Sequence, residues 1–307
     1  MPKSIRAAGF FLLAVTLRAV ELASGYAGPT EVGRLAEPHN LEQSGLAISR
    51  RTPDLLWTHN DSGGEPTLFA LSLDGTLRGS IQVAGVRNRD WEEITTFELD
   101  GRAWVIAADI GDNYAKHGQS MLHVLAEPDP ARLDPSHPLQ LPPDYTIHFT
   151  YEDGPRDCEA LAVDSKERAV YLLSKRDQPT RLYRLPLAAA PATQAAVAHL
   201  VGTVWDFPQP DGIQRLSPLP AVSVSGWPTA MNFMPDGTGV LVLTYGGLYL
   251  FSRTPGESWA EALAREPKLL PRFALPQAEA IAVTVDGKEI YLCSERTSQL
   301  LRYSRAP

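Results

Sequence analysis

The sequence predicts an all-β fold, a β-propeller of five four-stranded blades, and three observations carry that prediction. The core Glu159-Ala160-Leu161-Ala162-Val163 returns as Glu279-Ala280-Ile281-Ala282-Val283, and weaker copies in the same register start at Ser44, Glu92 and Thr229. Five copies of one motif mark a repeat architecture. Each start is followed, 16 or 17 residues later, by the polar end of a second apolar run, giving the pairs Ser44/Asp61, Glu92/Asp109, Glu159/Lys175, Thr229/Tyr245 and Glu279/Glu295. Finally, 23 Gly and 26 Pro are spread between short apolar runs in a chain of 307 residues that is 44% hydrophobic. That is the composition of a turn-rich β protein large enough to bury a sizeable core as one domain.

Residues 1–27 read as a secretory signal peptide, with Lys3 and Arg6 ahead of the apolar run Ala7 to Leu17 and small residues near Ala23 to Ala27. At 11 residues the run falls short of the roughly 20 a spanning helix needs. A disordered apolar start on a cytoplasmic protein is the alternative. Residues 28–307 then form a single domain of an exported, periplasmic or extracellular protein.

Within that domain Thr30 to Ala36 is an alternating segment with no partner nearby in sequence. Repeat one supplies strands over Ser44 to Ser49, Leu55 to Asn60, Thr67 to Leu71 and Gly79 to Ala84, with turns at Asp61 to Gly64 and at Asp74-Gly75. Repeat two supplies Glu92 to Leu99, Ala103 to Asp109, Met121 to Leu125 and Tyr145 to Tyr151, with a Pro-rich loop over 126–143. Repeat three supplies Ala160 to Val163, Ala169 to Ser174, Arg181 to Leu185 and Val197 to Val204, the last after an alanine-rich linker. Residues 207–227 are proline-broken and irregular. Repeat four supplies Ala230 to Phe233, Val240 to Thr244, Leu248 to Phe251 and Leu269 to Ala274, with a short helix around Trp259 to Arg265. Repeat five has only Ala280 to Val283, Glu289 to Cys293 and Leu300 to Tyr303. The orphan Thr30 to Ala36 completes it, closing a ring and covering its edges. A six-bladed ring, with residues 207–227 or part of 126–156 as a degenerate blade, stays open.

Two strands joined by a turn run antiparallel, so the end of the second lies beside the start of the first. All five pairs therefore sit at one mouth of the ring, where Asp61, Glu92, Asp109, Glu159, Glu279 and Glu295 face a single ammonium, Lys175. Clustered carboxylates raise one another's pKa unless solvent, the nearby Arg176 and Arg296, or a bound cation compensates. A hard cation is the sharper reading. Asn60, Asp112 and Asn113 add oxygen donors of the kind calcium uses, although Asp/Asn/Gly turns also form for conformational reasons alone. The metal-ligand set is thus Asn60, Asp61, Glu92, Asp109, Asp112, Glu159, Glu279 and Glu295, with calcium the cation and no organic cofactor.

His59 is a candidate general base or a packing residue. Lys175 and Tyr245 are candidate electrophiles or phosphate contacts, or close the ring electrostatically. Trp91 lines a pocket or packs a blade. Cys158 and Cys293 match no zinc or redox spacing and read as small buried residues. A net charge of −8 leaves no basic footprint for nucleic acid. No nucleophile elbow, His-Glu-x-x-His or phosphate-binding Gly loop is present. A monomer with a small-molecule or peptide ligand at its mouth is expected.

The motifs Ser44-Gly45-Leu46-Ala47, Leu56-Trp57-Thr58-His59-Asn60-Asp61-Ser62-Gly63-Gly64, Asp90-Trp91-Glu92-Glu93-Ile94, Asp109-Ile110-Gly111-Asp112-Asn113 and Asp157-Cys158-Glu159-Ala160-Leu161 resemble a group of exported bacterial β-propeller proteins of unsettled activity. More distantly the arrangement is similar to calcium-dependent propellers, the phytase-like and gluconolactonase-like (SMP-30-like) hydrolases, whose catalytic motifs do not map residue by residue. Where that resemblance calls for Thr-Gly-Ala-Asp, the chain has Thr229-Ala230-Met231-Asn232, without a fourth-repeat carboxylate. The resemblance leaves the activity open, and the mouth supports two readings: a metal-assisted hydrolase of phosphoesters, lactones or esters, in which the cation polarises an oxygen and a carboxylate or His59 activates water, or a non-catalytic ligand-binding or scaffolding propeller with a structural cation.

Overall fold

The computed structural model describes residues 20–23, 25–35, 42–187 and 194–306. Most of the expected signal segment and most of the alanine-rich linker lie outside them. The described chain is all-β apart from short helical turns.

After β1 (Thr30–Arg34) come four strands of a first unit, β2 (Gln43–Ile48), β3 (Leu55–Asn60), β4 (Thr67–Ser72) and β5 (Leu77–Val83), hydrogen-bonded in chain order. The second unit is β6 (Trp91–Leu99), β7 (Arg102–Asp109), β8 (Ser120–Ala126) and, beyond β9 (Leu139–Leu141), β10 (Tyr145–Tyr151). The third is β11 (Cys158–Asp164), β12 (Ala169–Ser174), β13 (Arg181–Pro186) and β14 (Ala196–Thr203). The fourth is β15 (Pro228–Phe233), β16 (Gly239–Thr244), β17 (Gly247–Ser252) and β18 (Lys268–Leu269). The last is β19 (Ala278–Val283), β20 (Glu289–Ser294) and β21 (Thr297–Ser304), and β1 pairs antiparallel with β21, Thr30 opposite Arg302 and Gly33 opposite Leu300.

Strands β2 and β19 are buried at every residue, as strands covered on both faces must be. The five first strands β2, β6, β11, β15 and β19 touch one another in cyclic order, β19 returning to β2. Among the described residues the core divides into five clusters, each filled mainly from two successive units; the last joins Leu46, Leu56 and Leu71 of the first unit to Tyr291, Cys293 and Leu300 of the fifth. Each fully buried Leu or Ile there contributes about 1.5–3 kcal/mol.

In every unit the register between the first two strands slips by one residue, between Gln43 and Gly45, Trp91 and Glu93, Cys158 and Ala160, Pro228 and Ala230, and Ala278 and Ala280. The skipped residues are Ser44, Glu92, Glu159, Thr229 and Glu279, the five repeat starts. A bulge bends its strand and re-aims the extra side chain, so one backbone irregularity, used five times, delivers an equivalent side chain from each unit.

Several expectations are corrected. The loop over 126–143 contains β9, which pairs parallel with β5 and widens the first sheet to five strands. A parallel pairing of β10 with β14, Phe149 opposite Ala196, joins the second and third units into one eight-stranded sheet; outer edges carry unused backbone groups that another strand can satisfy. The fourth strand of the fourth unit ends at Leu269 rather than Ala274, because Pro271 has no N–H to continue the ladder. The short helix is α2 (Trp259–Ala264), after α1 (Pro220–Ser223); a capping box between Ser258 and Glu261 starts α2. Ahead of β1 the described residues already touch the domain: Leu22 bridges Leu269, and the Tyr26 hydroxyl donates to the Gly287 carbonyl at 2.8 Å. Both cysteines are free and buried.

Candidate functional site

The bulge residues and the ends of the second strands meet as their spacing predicts, but the structure sorts them into separate groups. On one side Lys175 Nζ donates to Glu159 Oε1 and, at 3.2 Å, to the Tyr245 hydroxyl, which in turn donates to Glu279 Oε1. Lys175, Glu159, Tyr245 and Glu279 are all buried. Glu295 also hydrogen-bonds Glu279 and accepts from Gln277 Nε2 at 2.7 Å. Burial, and then the neighbouring Glu279, push Glu295 up to about 9, so this carboxyl pair retains a proton at neutral pH. Burial and Glu279 likewise raise Tyr245 far above an ordinary phenol, and its hydroxyl stays a neutral donor.

Elsewhere the acids find guanidinium partners. Asp109 binds Arg89 at 2.9 Å, and Asp157 binds Arg176 at 2.5 Å, with Arg176 also lying over the Trp227 ring at 4.4 Å. Asp112 is spent on its own turn, accepting from the His117 N–H at 2.6 Å while its N–H donates to Asp157 Oδ1 at 3.0 Å. The Asn60 carbonyl accepts from Asn88 Nδ2 at 3.1 Å, so its backbone fixes the end of β3 beside Asp61.

Three carboxylates remain. Asp61, Asp90 and Glu92 offer oxygens all within 4.8 Å of one another, the one such group of three or more acidic, His or Cys side chains among the described residues. None of the three forms an ion pair within the described residues; Glu92 Oε2 accepts only a neutral hydroxyl, from Ser44 at 3.0 Å. Burial drives Asp61 up to about 7, with Asp90 adding to it. It raises Asp90, with Asp157 and Asp109 adding, and lifts Glu92 well above the usual carboxylate range, with Asp61 adding. Gly111 closes the group from the end of β7: a Cβ there would collide with Glu92 Oε1 and the Asp90 carboxyl. Of the eight expected ligands, then, Asp61 and Glu92 belong to this group, whereas Asp109, Glu159, Glu279 and Glu295 are engaged elsewhere.

Asp90 was missed because it precedes the repeat start; its equivalent in the third unit, Asp157, is paired with Arg176. Its only signal is its place in Asp90-Trp91-Glu92.

No family model matches the sequence, and no curated relative matches it. Solved structures similar to the chain include a luciferin-regenerating enzyme, at 12% identity and a TM-score of 0.46, covering 91% of this chain and 95% of that one. A gluconolactonase from Xanthomonas campestris has the same identity and TM-score, covering 94% and 88%. The WD40 repeats of RRP9 follow at 10% identity and 0.46, covering 92% and 100%. Likeness this distant says nothing about activity.

His59 is fully buried, with Nδ1 3.0 Å from the Asn60 carbonyl and its ring edge-on to Trp91 at 5.8 Å. Burial lowers it to about 4, so the ring is a neutral packing element beneath the mouth. Trp91 is packed as well, between His59 and His123.

A second residue that sequence reasoning missed lies where the first strands of the units converge. Glu93, directly after the bulge, is 1% exposed, and its carboxylate accepts the N–H groups of Ile94 at 3.0 Å and Met231 at 3.4 Å, with those of Leu46 and Leu161 also bonded to it. These amides come from the first strands of four units. The signal was available: the equivalent positions are Gly45, Ala160, Ala230 and Ala280, so Glu93 is the one large side chain at a position otherwise kept small.

Proposed function

We propose that the chain is a five-bladed β-propeller closed by β1, with a mouth that binds one divalent cation, calcium by preference, between Asp61, Asp90 and Glu92. The ring reading is supported by the cyclic contacts of the first strands. It is supported too by the meeting of the fifth unit with the first, where a Cβ on Gly33 would collide with the Asp74 carbonyl. The observation that carries the cation is charge compensation: Asp109, Asp157 and Glu159 each have a basic partner and Glu279 lies beside the protonated Glu295, while Asp61, Asp90 and Glu92 crowd together with no basic partner among the described residues. Hard oxygens around a cradle that admits no Cβ suit calcium.

The activity we assign is hydrolysis of an ester, lactone or phosphoester. A divalent cation at this site would polarise a carbonyl or phosphoryl oxygen. Lys175 Nζ and the Tyr245 hydroxyl are hydrogen-bond donors in the neighbouring group, where the Glu295 carboxyl keeps a proton. Export, argued from the N-terminal sequence, would supply calcium in plenty. The second reading, a non-catalytic ligand-binding propeller with a structural cation, is favoured by one fact: Lys175 and Tyr245 are both already bonded to carboxylates of the ring. Turnover on a panel of esters, lactones and phosphoesters, with calcium and with chelator, separates the two. Calcium-dependent turnover supports the hydrolase; calcium binding without turnover on any substrate leaves the structural cation.

A further inference from the structure

Beside the mouth, a cavity of about 330 Å³ opens between the Tyr245–Gly247 corner and the segment from Leu269 to Gln277. Its wall is mainly apolar, with Leu270, Phe273 and Leu275 prominent and Arg272 its one charged residue. Two lining residues belong equally to the mouth: Tyr245, whose hydroxyl bonds Glu279, and Gln277, whose side chain bonds Glu295. Leu219 and Pro220, from the excursion between β14 and β15, form the roof. Leu219 is 57% exposed. An exposed leucine at the rim of an apolar cavity is what a ligand groove leaves uncovered, and the volume falls in the range of small-molecule sites.

We propose that this cavity is a subsite for the uncharged hydrocarbon arm of the substrate, so that the mouth takes an ester or lactone with an alkyl or acyl chain rather than a polyanionic phosphoester. The substrate class rests on the hydrolase reading above; the cavity's affinity for a hydrocarbon chain does not. The chain's own chemistry selects the arm. A charged arm would be desolvated against Leu270, Phe273 and Leu275 beside Glu279 and Glu295, and a sugar-like arm would leave its hydroxyls against the same three side chains without partners. A hydrocarbon loses water at no such cost, and each buried methylene tightens binding roughly fourfold.

The test measures binding of methyl butanoate, methyl hexanoate and methyl octanoate to the full chain by ligand-detected NMR, in calcium and in chelator, and follows hydrolysis of the same series. Two variants at exposed positions obstruct the cavity: Ala274→Trp fills it and Leu219→Asp charges its roof. Affinity should rise about three- to fourfold per methylene in the unmodified protein until the cavity is full, and the rise should flatten in both variants. A flat series in the unmodified protein overturns the subsite, as does a rise that both variants preserve. A rise that the variants abolish, with no ester hydrolysed under either condition, keeps the subsite and removes the hydrolase.

Discussion

The Met231 amide donates to Glu93 Oε2 at 3.4 Å, across 138 positions of sequence. With Ile94, Leu161 and Leu46 on the same carboxylate, one side chain from the second unit ties the first strands of four units together. Replacing it with alanine leaves buried N–H groups with no acceptor, each costing about 1–3 kcal/mol. Glu93→Ala should therefore lower the urea midpoint far more than Glu98→Ala, an exposed site on the same strand. Equal midpoints would show that the amides find other partners.

The mouth should set the pH dependence of stability. Burial raises Asp61 from 3.8 to about 7 and Glu295 from 4.5 to about 9, so the folded chain holds protons that the unfolded chain releases. Without metal, the stability these groups contribute should be complete at and below about pH 4, fall as pH rises from there, and be lost by about pH 7 for Asp61 and about pH 9 for Glu295. Calcium needs the ionised carboxylates, so its stabilising effect should grow over the same interval. Melting curves from pH 5 to 9, with calcium and with chelator, check both slopes.

Substitutions should separate the cation group from the rest of the ring. At one hundred times Kd a cation that binds only the folded state adds about 2.7 kcal/mol. Asp90→Asn should abolish most of the calcium-induced rise in melting temperature, and Gly111→Ala should reduce it by crowding Asp90 and Glu92. Glu279→Gln, in the Tyr245–Glu295 group, should leave the rise largely intact. If Glu279→Gln removes it and Asp90→Asn does not, the cation sits across the ring.

Lys175 is the buried counter-charge of Glu159. Removing one member of a buried pair typically costs about 3–5 kcal/mol, because the other charge is stranded. Lys175→Met should cost that much by chemical denaturation, and adding Glu159→Leu should recover most of it. A double variant no more stable than Lys175→Met would mean that Tyr245, not Glu159, is what Lys175 holds in place.

The sequence by itself determined the repeat. Its five starts are the five bulge residues, because a motif copied at constant spacing carries its local hydrogen-bond pattern with it. It also determined the strand order within each unit and the partner of Thr30 to Arg34, since short turns leave few alternatives to a meander. Tertiary structure alone decided the chemistry of the mouth. Equivalent positions in a repeat make equivalent backbones, not equivalent neighbours: Glu159 met Lys175, Glu279 met Glu295, and only Glu92 met two carboxylates without a cation. Asp90 joined them because the Gly111 turn brings the end of β7 against the start of β6, and Glu93 reached amides from other units only where the first strands converge. The sequence names the charged side chains, but which of them share a desolvated space depends on distances between residues far apart in the chain, and those distances decide whether a carboxylate meets a base, keeps a proton or crowds against another carboxylate.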